Sequence, residues 1–362
     1  MNDRFIVIMA GGRGERFWPE SRTKKPKHLL PIVGNSPMLR QTLDRVGEGI
    51  PKSNIFVITN VQQEAAIREI CDDLPAGNIV SEPIGRDTAP AVGLATVLVK
   101  SINPNGVFAI LPADHMIHDT DAFQSCLNSA FEVATSSGSL TTIGIVPTQP
   151  ATGYGYIHKG GVLLGFEDRK VYRVNEFVEK PNLQKATEYV DSGEYFWNAG
   201  MFVWSVSAIE DAIRQYNPNL HVELAKILER LIAGEPLAAI LEDIYPTLEK
   251  ISIDFSVMEK ADNVVTVESS FDWDDVGEWT AIERHFEKDE QENLLRGSAI
   301  VKKGNRNLIY NDGKRVTALL GVDDLIVVHT ADAVLVCHKS KAQEIKAIVK
   351  ELGSDPKTEI YT

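Results

Sequence analysis

RFIVI at residues 4–8 runs directly into MAGGRGERFWP at 9–19. The first stretch is apolar and rich in β-favouring side chains, so it reads as a buried strand. The second gives up side chains at Gly11, Gly12 and Gly14 and places Arg13 and Arg16 among them. Glycine allows unusual backbone angles and close approach of a ligand to the main chain, and arginine adds fixed charge with forked donors. A strand ending in such a loop points to an anion, phosphate in particular, held against backbone N–H groups. Two common phosphate loops are excluded by spacing. A dinucleotide fingerprint beginning at Gly12 needs glycine at 17, where the chain has Phe17. A P-loop beginning at Gly11 needs Gly-Lys at 16–17, where it has Arg16 and Phe17.

Downstream, RTKKPKHLLPI (22–32) adds further cations. Residues 13–28 hold six Lys or Arg against two Glu, in a chain of 362 residues with net charge −14. That balance argues against a general nucleic-acid surface, which needs a basic face, but leaves room for a local nucleotide site. The three cysteines, Cys71, Cys126 and Cys337, are scattered and form no C-x-x-C, so neither a disulfide framework nor a zinc site is expected. The start resembles no signal peptide and no window is apolar enough to span a membrane, so a cytoplasmic protein is expected.

Around the loop, apolar runs at 4–9, 55–58, 107–111 and 141–146 alternate with helical patterns at about 37–47, 61–71, 88–101 and 120–134. Such alternation predicts an α/β fold with a largely parallel sheet, whose ligands collect at the carboxyl ends of strands. GGRGER lies at one such end and PADH (112–115) at another. From 150 to 290, hairpin-like pieces (TGYGYIHKGG, KVYRVNEFVEKP) mix with helices near 183–191, 206–215 and 220–234, with no linker before them. They read as an elaboration of the first sheet. From about 294 to 338 short strands separated by turn residues predict a small β-rich appendage, closed by an amphipathic helix at about 340–352. The expected domains are therefore 1–290 and 291–362, with no convincing long-period repeat.

The motif AGGRGERFWP…KPKHLLP resembles the opening of the sugar-1-phosphate nucleotidylyltransferases. EPIGRDTAPAV (82–92), ATGYGYI (151–157), FVEKPN (177–182), WNAGMFVW (197–204), SIDFSVMEK (252–260) and FDWDDVGEW (271–279) then follow in the order of the mannose-1-phosphate guanylyltransferases. The tail LIVVHTADAVLVCHKSKAQEIK is similar to that family's C-terminal region. The resemblance runs nearly end to end and implies a Rossmann-like nucleotidyltransferase fold with a mixed, mainly parallel central sheet. It also implies transfer of GMP from GTP to mannose 1-phosphate, giving GDP-mannose and pyrophosphate with Mg2+.

By the same resemblance, Gly11, Gly12, Gly14 and Arg13 would cradle the triphosphate, and Arg16 and Lys27 would hold phosphates and offset charge. Asp114 and one aspartate of FDWDDVGEW would bind the metal. Asp272, Asp274 and Asp275 compete for the second place; the family pattern selects Asp275, and strand alternation would set it on the side of Trp273. Two carboxylates with phosphate oxygens and waters suit magnesium. His115 and His118 stand beside Asp114 without a third ligand, and a supporting or capping role is expected for them. Glu179 and Lys180 would take sugar hydroxyls and the sugar phosphate, Asn198 another hydroxyl, and Gly153 would let the sugar approach the backbone. Glu82, Arg86 and Thr88 would lie near base and ribose, although Thr88 equally suits a helix N-cap. Trp197, Phe202 and Trp204 are expected in the core.

Departures from the family pattern are Met9, Glu15, PESR at 19–22, Asp87, His28 and Ala151. None removes a phosphate or metal group. Asp87 and Ala151 bear on nucleotide and sugar preference. Some relatives carry a further isomerase domain, which the 362 residues do not include, so the transferase activity alone is expected. The alternatives are the same chemistry with another nucleotide or hexose 1-phosphate, or a non-catalytic nucleotide-sugar-binding relative. The β-rich appendage offers a surface for a homodimer.

Overall fold

The computed structural model of the chain describes residues 3–163, 166, 170–311 and 313–362. Packing divides the chain into two units, and the backbone passes between them at 11/12, 41/42, 113/114, 116/117 and 273/274.

The first unit is built on strands β1 (Arg4–Met9), β2 (Ile55–Asn60), β3 (Ile79–Glu82), β4 (Val107–Pro112), β5 (Leu140–Ile145), β6 (Gly155–Val162), β7 (Val171–Val178), β8 (Tyr195–Ser205) and β9 (Val264–Glu268). They form one nine-stranded sheet in the order β3-β2-β1-β4-β8-β5-β9-β7-β6. The first four are mutually parallel, with Val7 opposite Phe56 on one side and Ile110 on the other. In β1, Phe5 to Ile8 are buried on both faces, as an unbroken apolar run in a parallel sheet requires. β1 and β4 end side by side at Met9 and Pro112. The hairpin-like pieces are β6 and β7, which extend this same sheet.

Helices are α1 (Met38–Val46), where the chain passes from the second unit to the first, α2 (Glu64–Ile70), α3 (Thr88–Ile102), α4 (Thr120–Ser137), α5 (Leu183–Ser192), α6 (Val206–Tyr216), α7 (Pro218–Ile232) and α8 (Leu237–Ile244). Helix α3 is buried continuously from Ala89 to Val99, which explains its apolar character on every face. Trp204, Phe202 and Trp197 are core residues, as expected. The sequence reading did not include β3, β9 or α8.

The second unit comprises residues 12–41, 114–116 and 274–362, so packing groups the glycine-rich stretch with the C-terminal region and does not follow chain order at 290. Its strands are β10 (Leu294–Arg296), β11 (Ala299–Lys302), β12 (Leu308–Asn311), β13 (Thr317–Leu320), β14 (Leu325–His329) and β15 (Val334–His338). Alternate strands pair: β10, β12 and β14 run parallel, as do β11 and β13, and β15 closes antiparallel on β14. The chain therefore winds as a coil with two strands per turn. Leu294, Leu308 and Ile326 stack in register and are buried. Beside them the Asn293 side-chain oxygen accepts from the Asn307 N–H at 2.9 Å, and that of Asn307 accepts from the Leu325 N–H at 3.0 Å. The last helix is shorter than expected: a 3-10 segment (Lys339–Glu344) precedes α9 (Ile345–Leu352). Phe17, Trp18, Trp279, Tyr310 and Ile345 share the core of this unit.

Candidate active site

In the second unit, Gly14 adopts φ 62°, ψ 29° and leads into a 3-10 turn, Glu15–Phe17. A Cβ at this position would stand 2.6 Å from Lys27 Cβ and 2.8 Å from its backbone nitrogen. The missing side chain thus serves both the left-handed backbone and the approach of Lys27. Phe17 turns into the core against Trp279, with ring centroids 5.0 Å apart, and its burial fixes the direction of Arg16 before it.

Lys27 opens a second 3-10 turn after Pro26, and its side chain is only 5% exposed. Its ammonium donates to the Asp275 carbonyl at 2.6 Å and the Val276 carbonyl at 3.0 Å, and pairs with Asp114 Oδ2 at 2.8 Å. An ammonium has three donors, so Lys27 is fully engaged, and it ties Asp114 to the loop that carries Asp275. Burial alone would raise the Asp114 carboxyl. Lys27, with His115 and His28, outweighs that and brings it down to about 2. The side chain remains 39% exposed, so a charged carboxylate faces outward.

Arg13, Arg16, Lys27, Asp114 and Asp275 line one cavity of about 470 Å³, together with Gly14, Glu15, His115 and Lys346. Four basic side chains (Arg13, Arg16, Lys27, Lys346) face three acidic ones (Glu15, Asp114, Asp275) there. Arg13 is largely exposed and 3.8 Å from Glu15. The Nε of Arg16 is buried with no hydrogen-bond partner among the described residues, a donor that an anion would satisfy.

The three competing aspartates have separate tasks. Asp272 accepts from the His118 and Asp119 backbone N–H groups at 3.0 and 2.8 Å and pairs with the His118 ring at 2.7 Å. Asp274 is buried and bonded to Arg284 Nη2 at 2.7 Å, the His285 ring at 2.9 Å and the Val276 N–H at 2.8 Å. Burial opposes its charge, but His285 and Arg284 hold the carboxyl far below the usual range. Asp275 lines the cavity. The alternation argument for it has no basis here, because 272–276 is not a strand: Asp274 makes a single bridge to Met116. His115 lines the cavity, whereas His118 braces Asp272.

The remaining candidates belong to the first unit. Glu82 is buried, within 3.6 Å of where a Gly11 Cβ would stand, and accepts from the Tyr245 hydroxyl. Burial pushes its carboxyl up to about 7. Arg86 donates to the Pro246 carbonyl. Thr88 is not the cap of α3. Asp87 takes that place at φ 68°, and the Thr88 hydroxyl instead accepts from the Ile253 N–H at 2.8 Å. Glu179 and Lys180 pair with each other. Gly153 faces open space, whereas a Cβ on Gly155 would stand 2.9 Å from Glu179. Asn198 donates to Asp254 at 2.8 Å and accepts from the Gly200 N–H at 3.0 Å. Asp254, whose carboxyl burial raises, and Tyr245 were missed by the sequence reading. Asp254 lies within SIDFSVMEK, but its partner is visible only in the fold. Tyr154, Trp197 and Trp273 form an aromatic cluster, with Tyr154 at 5.0 and 5.2 Å from the two indoles.

Among the described residues, no group of three His, Cys, Asp or Glu could hold a metal ion, and no helix is long and apolar enough to cross a membrane.

A sequence profile of the nucleotidyl transferase family matches residues 6–292, and one for the MannoseP isomerase/GMP-like beta-helix domain matches 298–352. A Salmonella montevideo protein named mannose-1-phosphate guanylyltransferase is 38% identical over 360 residues, covering 98% of this chain and 75% of that one. One of the same name from Escherichia coli K12 is 36% identical over 359 residues, covering 98% and 74%. A solved structure from Thermus thermophilus, described as a mannose-1-phosphate geranyltransferase, is 37% identical. It has a TM-score of 0.84 and covers 97% of this chain and 99% of that one. With its sheet and its coil both matched over this span, the chain belongs to the nucleotidyl transferase family, among relatives named mannose-1-phosphate guanylyltransferase.

Proposed function

We propose that the protein transfers GMP from GTP to mannose 1-phosphate. A phosphate oxygen of the sugar forms a bond to the α-phosphorus, the bond from that phosphorus to the α–β bridging oxygen breaks, and the electron pair leaves with pyrophosphate. No protein nucleophile is required; in-line placement and charge neutralisation suffice. The observation that carries this reading is the convergence of Arg16, Lys27, Asp114 and Asp275, from three distant stretches of chain, on one cavity.

Arg13 and Arg16, with the backbone N–H groups of Gly11, Gly12 and Gly14, are assigned to the triphosphate. Lys27 adds charge at short range and keeps Asp114 and the Asp275 loop in place. Two carboxylates, one held ionised, are the donor set that Mg2+ takes alongside phosphate oxygens. Bound to Asp114 and Asp275, the ion would neutralise charge on the phosphates. Glu179, Lys180 and Asn198, with Gly153, are assigned to mannose 1-phosphate, and Glu82, Arg86 and Thr88 to the nucleoside. In this reading, residues 1–290 form the catalytic domain and 291–362 a C-terminal domain. The protein is cytoplasmic, binds no nucleic acid, and pairs as a homodimer, which light scattering at micromolar concentration checks.

Pyrophosphate release with magnesium tests the reading, with GTP, ATP, UTP and dTTP each offered against mannose 1-phosphate and glucose 1-phosphate. Release with GTP and mannose 1-phosphate alone is expected. Turnover with another pair would overturn the specificity, and silence with every pair in folded protein would overturn the activity.

A further inference from the structure

The last residue of the quoted tail, Lys346, has no part in the roles above, yet it lines the cavity of Arg16 and Lys27. It also lines a second cavity of about 530 Å³, and Arg13 and Glu15 are the other residues common to both. The two spaces therefore adjoin across one wall.

Helix α9 explains why Lys346 faces them. Ile345 is buried in the core of the second unit, and Val349 and Leu352 pack on that core. This apolar stripe at i, i+4 and i+7 fixes the helix rotation. α9 also packs on the turn of Glu15–Phe17, and the turn is tied down beyond it by the Trp18 indole donating to the Tyr361 carbonyl at 2.7 Å. Lys346 and Lys350 are left four residues apart, on one face, both exposed and both lining the second cavity. Like charges at this spacing disfavour a helix slightly, and an anion between them relieves that. Arg22, also in that cavity, is already committed to the Pro19 carbonyl at 2.6 Å, the Tyr361 carbonyl and Asp332 at 2.8 Å. Arg13, Lys346 and Lys350 are the cations of that cavity that present charge to a ligand, and Glu15 opposes them while paired with Arg13.

We propose that Lys346 binds the outer phosphates of the triphosphate and then the departing pyrophosphate, with the second cavity, carrying Lys350, as the path by which that product leaves. This rests on the nucleotidyl-transfer reading of the first cavity. It makes the C-terminal helix part of the binding machinery for the leaving group, which is absent from the sugar side of the reaction.

The test uses the full chain with Lys346→Ala and Lys346→Arg. Alanine at an exposed helical position preserves folding, and a thermal melt checks this. In the reverse reaction, from GDP-mannose and pyrophosphate, Lys346→Ala is expected to raise KM for pyrophosphate about tenfold, as loss of one charge-assisted contact does. KM for GDP-mannose should hold, and Lys346→Arg should recover most of the loss. Calorimetry with tripolyphosphate should show the same weakening. Equal tripolyphosphate affinity in wild type and Lys346→Ala would overturn the proposal, as would an equal rise in KM for both substrates. A wild type that turns over no substrate pair, yet loses tripolyphosphate binding on Lys346→Ala, would sink the transfer reading and leave the Lys346 site standing.

Discussion

In the second unit Asp114 stands beside Lys27 and stays ionised down to about pH 2, whereas in the first unit Glu82 is buried under the Tyr245 hydroxyl and takes its proton near pH 7. Both carboxyls pay for desolvation, and the difference is a cation at 2.8 Å. A carboxylate kept charged can neutralise or coordinate; one poised near neutrality can donate or accept a hydrogen bond according to pH. The two carboxyls thus suit different chemistry: one holds a charge at all ordinary pH, the other changes its hydrogen-bonding role near neutrality.

The most direct way to break the contrast is Lys27→Ala. It removes the ammonium that serves Asp114 and two carbonyls, and turnover is expected to fall by about 10³, roughly 4 kcal/mol of barrier. Retention of a tenth of the activity in the pyrophosphate-release assay would show that Asp114 does not depend on it.

Next is a pair of neighbours. Asp274→Asn should lower unfolding free energy by about 3 kcal/mol in urea, because Arg284 and His285 lose a buried partner. Asp275→Asn should leave the urea midpoint in place and cut turnover by about a hundredfold. Swapped phenotypes would reverse the assignment of the two aspartates.

Glu82→Gln sharpens the comparison through pH. The Glu82 carboxyl is raised in the fold, from 4.5 to about 7, so the folded state binds the proton more tightly. Its contribution is full below the unfolded value and is lost as pH rises through 7. Wild type should therefore lose up to about 3 kcal/mol relative to Glu82→Gln between pH 4.5 and 7. Asp114 has the opposite sign: its contribution is present above 3.8 and fades as pH falls toward 2. Parallel stability curves for wild type and Glu82→Gln across this window would contradict the assignment.

The smallest effect is expected where no charge is involved. Asn307→Ala removes the side-chain amide bonds to Asn293, the Val322 carbonyl and the Leu325 N–H in the coil and should cost about 1–2 kcal/mol in the same urea experiment. No change in midpoint would show that the stacked backbone holds the coil unaided.

Runs rich in apolar and β-branched residues announced β1, β2, β4 and β5, because burial on both faces leaves few polar positions to blur them; in β5 these are the buried Thr141 and Thr142. β3 has only four residues and ends in Glu82, so its run is too short to register. The coil was read as short strands, but its winding was not, because stacked Leu294 and Leu308 are fourteen residues apart while Leu308 and Ile326 are eighteen apart. Unequal loops hide a spatial repeat from any fixed period. In the site, spacing excluded the wrong phosphate loops and family pattern selected Asp275. Asp254, Tyr245 and Lys346 were invisible because each acquires its meaning from a partner or a cavity wall distant in sequence.

The contact between Gly14 and Lys27 also constrains descent. Any side chain at 14 collides with the Lys27 Cβ at 2.6 Å, and shortening residue 27 opens no way around, since its backbone nitrogen stands at 2.8 Å. The constraint therefore falls on position 14, whatever side chain stands at 27. A saturation library at codon 14, selected for folded protein, should return glycine alone, so lineages that keep this turn inherit its glycine even where residue 27 changes.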